Sequence, residues 1–239
     1  MNNAGRTLTP LLLGFAFAIS GSGCGGGGSS TYIPTVPVTS TATFQTRTAW
    51  ANWVTNASSL PFTITGTYLG VPITGNGTTT WSGLTASTFE GQPALVKVTQ
   101  VLGSYTASGT VYSLHQTTAD YHDSNYNPLG SSDGYYEVIT PSTVNIPATS
   151  LVNDTGVLYS GKVYSDISKT TQTGNDTVTY TLKPDTTTTA LLLIASTVTD
   201  MSGAVHKTAS TTFRITPAGG ITPVSDASSV GGLTLNLAY

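Results

Sequence analysis

The sequence predicts an all-β fold: an antiparallel meander of roughly 11–12 strands, curled into a partly closed barrel or a sandwich, with one short N-terminal helix. Three observations carry that expectation. Threonine, β-branched and suited to strands, makes up about a fifth of the 239 residues. Apolar and polar residues alternate through most of the chain, the period of a half-buried strand. The alternating segments are joined by short polar turns, which leave no room for the crossover helices of a parallel sheet. Charged residues are only 8% and the net charge is −3, so hydroxyls rather than charges keep the outward faces wet.

The elements follow in chain order. In "TAWANWVTNA", 48 to 57, Trp50, Trp53, Val54 and Ala57 recur at helical spacing. Thr46 or Thr48 is the expected N-cap, and the helix is expected to plug one end of a β core. The period then becomes two. Phe62, Ile64 and Tyr68 share a face opposite Thr63, Thr65 and Thr67. "GNGT" at 75 to 78 predicts an Asn-Gly hairpin turn. Strands are expected at 94–102, 109–121, 177–182, 189–199 and 204–216, with turns at "TLKPDTTTTA", 181–190, and at "DMSG", 200–203. "LTLNLAY" closes the chain with Leu233, Leu235, Leu237 and Tyr239 on one face.

Candidate sites are sparse. "GVLYSGK", 156 to 162, has the glycine spacing of a phosphate loop, but Val163 replaces the required Ser or Thr and no helix follows. "DYHDSNYNPLGSSDG", 120 to 134, is the densest polar cluster. Its Asp123, Asn125 and Asn127 fall at alternate positions, as in a calcium loop, but Pro128 stands where the glycine belongs. Asp120 and His122 are the other weak candidates for a cation; His115 has opposite parity and belongs to the other strand face. Glu90 and Glu137 are candidate glycosidase carboxylates, with nothing local in the sequence to support the pairing. The expectation is a structural loop, no catalytic site, no metal and no cofactor. A basic stripe is absent from the sequence, which argues against a nucleic-acid partner.

The first forty residues carry a different signal. Leu11 to Ile19 are apolar, too few for a bilayer-spanning helix of about 20 residues but suited to the core of a secretory signal. Ser20, Gly21, Ser22 and Gly23 precede Cys24, the single cysteine. This stretch resembles the lipobox of bacterial lipoproteins, with Ser22 and Gly23 matching its small residues and Gly21 standing where an apolar residue is usual. The resemblance implies that 1–23 is a removed signal peptide and that Cys24 is lipidated, with palmitate-like chains holding it to a membrane. Gly25, where an Asp favours inner-membrane retention, points to the outer membrane. Residues 24–40 read as a Gly/Ser/Pro tether with a reach of about 20–24 Å, and 41–239 as a single antiparallel β domain.

"GCGGGG" at 23–28, "TFEGQPAL" at 88–95, "DSNYNPLG" at 123–130, "NDTG" at 153–156 and "FRITPAG" at 213–219 extend the likeness. Together they resemble a family of uncharacterised proteobacterial lipoproteins, and imply location rather than activity. The expected function is a non-catalytic binding or structural β domain at the cell envelope, taking an apolar small ligand or an envelope protein as partner. The alternatives are an integral outer-membrane barrel, suggested by the terminal alternation, and a hydrolase with no identified site.

Overall fold

The computed structural model describes residues 40–239. The expected signal peptide, Cys24 and nearly all of the expected tether lie outside them. One α-helix, α1 (Thr46–Thr55), precedes the strands β1 (Ser58–Tyr68), β2 (Val71–Trp81), β3 (Thr85–Phe89), β4 (Gln92–Ala107), β5 (Thr110–His122), β6 (Pro128–Ser132) and β7 (Tyr136–Ile139). After a loop with one 3-10 turn come β8 (Thr155–Tyr164), β9 (Gln172–Pro184), β10 (Ala190–Asp200), β11 (Val205–Ile215), β12 (Ile221–Val230) and β13 (Leu233–Ala238). Every pairing is antiparallel.

Twelve of these strands form a closed barrel. Each pairs with the next along the chain, except that β2 skips β3 to pair with β4, and β1 pairs with β13 to close the ring. β4 is long enough to serve two neighbours: Thr99 to Ala107 pair with β2, while Gln92 to Val96 pair with β3. The β3–β4 hairpin thus leaves the ring, and its Phe89 packs outside the barrel against Tyr121 and Tyr136.

Alternation decides what faces inward. Leu233, Leu235 and Leu237 are buried, as are Phe62 and Ile64 beside them, while Thr63, Thr65, Thr67, Asn76, Thr117 and Thr177 face out and are exposed. The terminal Leu alternation therefore points into the barrel, not away from it.

Two apolar clusters fill its interior. One, with Phe62, Ile64, Ile73, Leu114 and Leu235, packs where β13, β1, β2, β4 and β5 curl tightly. The other packs α1 onto β8 to β11 through Trp50, Val54, Leu182, Ile194, Phe213 and Ile215. As expected, α1 plugs one end.

Two local expectations are corrected. The Asn76-Gly77 pair is not a turn; it lies in mid-β2, with Asn76 opposite Thr63 and Ser104. Glycine is required there for close approach: a Cβ at Gly77 would strike the Leu102 carbonyl and the Phe62 ring. The hairpin turns at Leu69-Gly70, both with positive φ (48° and 82°), the backbone of a type I′ turn. The helix also starts earlier than 48. Its N-cap is Gln45, without a side-chain cap bond, and Thr46 Oγ1 instead donates to Ser150 Oγ at 2.9 Å. Tertiary anchoring has replaced local capping.

Candidate functional site

A barrel of about eight strands fills its interior with side chains; twelve leave space. Here that space is a cavity of about 890 Å³. Its floor is α1, with Trp50, Trp53 and Val54, joined by Trp81 and Phe213. Trp53 sits 5.3 Å from Trp81 and 4.7 Å from Phe213, centroid to centroid. All three tryptophans of the chain line this one space. The exposed lining residues Gly134 and Tyr135, in the β6–β7 turn, and His206, at the start of β11, lie at the end opposite α1, so the mouth opens there.

The middle of the cavity is acidic. Asp120, Asp133, Glu137, Asp176 and Asp226 line it, against Lys97 and Lys207, while Asp200 sits at the rim with its carboxylate on the β10–β11 turn. Five of the eleven acids of a weakly charged chain thus face one lumen. The alternation that puts Val178 and Leu182 inside puts Asp176 there too, and that which buries Leu114 brings in Asp120 and His122.

The carboxyls differ in their partners. Asp226 accepts hydrogen bonds from Thr211 and from the Tyr239 hydroxyl. Asp133 has the Lys207 ammonium at 4.0 Å. Asp176 accepts from Ser196 Oγ at 2.8 Å. Glu137 Oε2 accepts from Ser131 Oγ at 3.1 Å, while its Oε1 is buried with no hydrogen-bond partner. Glu137 lies across Gly161, where a Cβ would come within 2.7 Å of Oε1, and Gly161 is the register partner of Asp176. A glycine between them lets two carboxyl groups face one another.

Burial, and then the Asp176 charge, push the Glu137 carboxyl up to about 8. Burial, and then Asp133, push Asp120 up to about 7. Asp133, Asp176 and Asp226 are raised by burial as well.

Lys97 is 2% exposed, yet it is not a free cation for a ligand. Its ammonium donates to the carbonyls of Asn56 at 2.7 Å, Ser82 at 3.3 Å and Val54 at 3.4 Å, and lies 5.0 Å from the Trp53 ring centroid. It caps the C-terminal end of α1, where a positive charge is favoured. Burial lowers its pKa to about 8.

The polar cluster at 120–134 divides between two places. Asp120 and His122 face the cavity. Burial, and then the Lys97 charge, hold His122 down at about 4, so it is neutral; its Nδ1 has no hydrogen-bond partner. Asp123, Asn125 and Asn127 instead form the β5–β6 loop. Asp123 Oδ1 accepts the Asn125 and Asn127 amides at 2.8 Å, and its Oδ2 accepts Asn127 Nδ2. Arg47 of α1 donates to the Asn125 carbonyl and to Asn127 Oδ1. These oxygens fasten the helix to the loop, and among the described residues no group of three or more His, Cys, Asp or Glu is placed to hold a metal.

The Glu90–Glu137 pair is not assembled. Glu90, in the β3–β4 turn, bonds Lys169 and Tyr136 on the outside of the barrel, while Glu137 faces the lumen. Sequence reasoning missed Lys97, Asp176 and Asp226 as cavity residues. The available signal was parity: a charge in mid-strand on the same face as buried apolar residues.

Compared with protein-family models, curated proteins and solved structures, this chain has no match.

Proposed function

We propose that this chain is a non-catalytic binding barrel of the bacterial cell envelope, lipid-anchored through Cys24, that takes a small molecule into the lumen floored by α1. The observation that carries the reading is the cavity: its volume falls in the range of ligand sites, about 300–1,000 Å³, and all three tryptophans stand on its wall. An apolar floor with a few convergent polar groups is the usual composition of such sites.

The threonine-rich outer face supports a barrel surrounded by water. A lipid-embedded barrel presents Leu, Val and aromatic residues outward and polar residues inward; here Leu235 and Leu237 are inside and Thr63 and Thr65 outside.

Intrinsic fluorescence of the purified full chain tests the reading directly, because every tryptophan reports on the lumen. A bound small molecule, carried through purification and seen by native mass spectrometry or added from a panel of amphiphiles, is expected to shift or quench the emission. Emission indifferent to every amphiphile, in a protein that carries nothing, overturns the reading. For the anchor, Cys24→Ser is expected to move the protein out of the membrane fraction; a variant that stays there refutes lipidation.

A further inference from the structure

We infer that the molecule held in the lumen is an organic cation, with a primary ammonium or amidinium group seated between Glu137 and Asp176 and an apolar body on the floor of Trp50, Trp53 and Trp81. The inference rests on the reading of the lumen as a ligand site.

Three observations lead to it. The first is charge. The lumen holds five acids, with Asp200 at its rim, and two lysines, and the lysines are occupied: Lys97 on two carbonyls at the end of α1 and on that of Ser82 after β2, Lys207 beside Asp133. Among the described residues no cation is paired with Glu137 or hydrogen-bonded to Asp176.

The second is an unmet acceptor. Glu137 Oε1 is buried and without a hydrogen-bond partner, a costly condition for a buried polar atom. A donor, O–H or N–H, relieves it, and together with the excess of acids this points to a cation that carries N–H bonds; a quaternary ammonium carries none. His122, 5% exposed, adds a second unpartnered buried atom, Nδ1, on the lumen wall nearer the floor.

The third is the floor. Trp53, Trp81 and Phe213 form a contiguous aromatic surface that favours a flat apolar body and, through the ring faces, positive charge. One molecule with a cationic head and an aromatic or aliphatic body meets all three conditions. An anionic or uncharged ligand leaves the Glu137–Asp176 pair without a compensating positive charge, since Ser131 and Ser196 supply only neutral donors.

The test compares 4-phenylbutylammonium with its neutral analogue 4-phenylbutan-1-ol and with 4-phenylbutyl-trimethylammonium. All are titrated against the full chain near pH 8 by tryptophan fluorescence and calorimetry. A charge-assisted hydrogen bond predicts about 10- to 100-fold tighter binding of the primary amine than of the alcohol, with the quaternary analogue in between. In Glu137→Gln, and separately in Asp176→Asn, that preference is expected to fall to within about threefold while the alcohol binds as before, which also shows that the variants fold. Equal binding of amine and alcohol to the unaltered protein overturns the cation and leaves the ligand site standing. A preference that survives both substitutions overturns the assignment to this pair. Binding of none of the three overturns both readings.

Discussion

The two sides of this barrel interior obey the same alternation and come out differently. Where β13, β1, β2 and β4 meet, the inward positions carry Leu235, Leu237, Ile64 and Ile73, and glycines such as Gly77 let neighbouring strands close tightly. That side is solid. Around β5 to β11 the inward positions carry Thr118, Asp120, Glu137, Asp176 and Ser196. Short and acidic side chains do not fill a twelve-strand ring, and that side is hollow. The difference teaches that the fold is held by its solid side and by the plug, which leaves the hollow side free to carry charge.

Substitutions should separate the two. Leu235→Ala, on the solid side and fully buried, is expected to cost about 3–5 kcal/mol, read as a lowered denaturation midpoint. Val198→Ala, on the cavity wall, should cost under about 1 kcal/mol, since no packed void is created there. Equal losses would mean that the hollow side is as tightly packed as the solid one.

Lys97→Met comes next. It removes the donor that satisfies the Val54 and Asn56 carbonyls at the end of α1 and the Ser82 carbonyl after β2, and about 2–3 kcal/mol of stability should go with it. The tryptophan emission should also change as the plug loosens. A stable variant with unaltered emission would show that α1 is held by its apolar face alone.

The hollow side should also respond to pH. Folded Asp120 and Glu137 keep their protons up to about 7 and 8, whereas the unfolded chain releases them at ordinary carboxylate values. Between those limits the folded state binds more protons, so raising the pH favours unfolding. His122, held at about 4, acts in the opposite sense, but only below its ordinary value of 6.5. Between pH 6.5 and 8 the unliganded protein should therefore lose stability, by at most about 1.4 kcal/mol per pH unit for each proton concerned. Glu137→Gln should flatten that slope in thermal melts, and an unchanged slope would place the titration elsewhere. A bound ammonium group, which favours the charged carboxylates, should bind more tightly across the same interval.

The smallest effect belongs to the outside. Thr65→Lys or Thr177→Lys should change stability by no more than about 0.5 kcal/mol. A loss of several kcal/mol would show that this face is covered.

Much of the architecture was legible in the sequence, and the reasons are local. Alternation assigned Leu233, Leu235 and Leu237 to one face and the threonines to the other, and helical spacing found Trp50, Trp53 and Val54. The Asn76-Gly77 pair was misread because glycine answers two needs, a left-handed turn and close approach of strands, and only the partner strands distinguish them. The cavity was not legible. Its existence depends on how many strands close the ring, and its chemistry on charges such as Asp176 and Asp226 that lie far apart in the chain and meet only when it closes.

The closure itself has a kinetic consequence. Every joint of the ring but one links strands that are near neighbours in sequence, each closable with little loop entropy. The exception is β1 with β13, where Ile64 lies opposite Leu237. A ribbon of hairpins can therefore accumulate stepwise, yet the lumen, its carboxylates and its tryptophan floor come together only when that last, most distant seam zips. Until then β1 and β13 present two unpaired edges, the form in which such a ribbon is most exposed to joining another copy instead of itself.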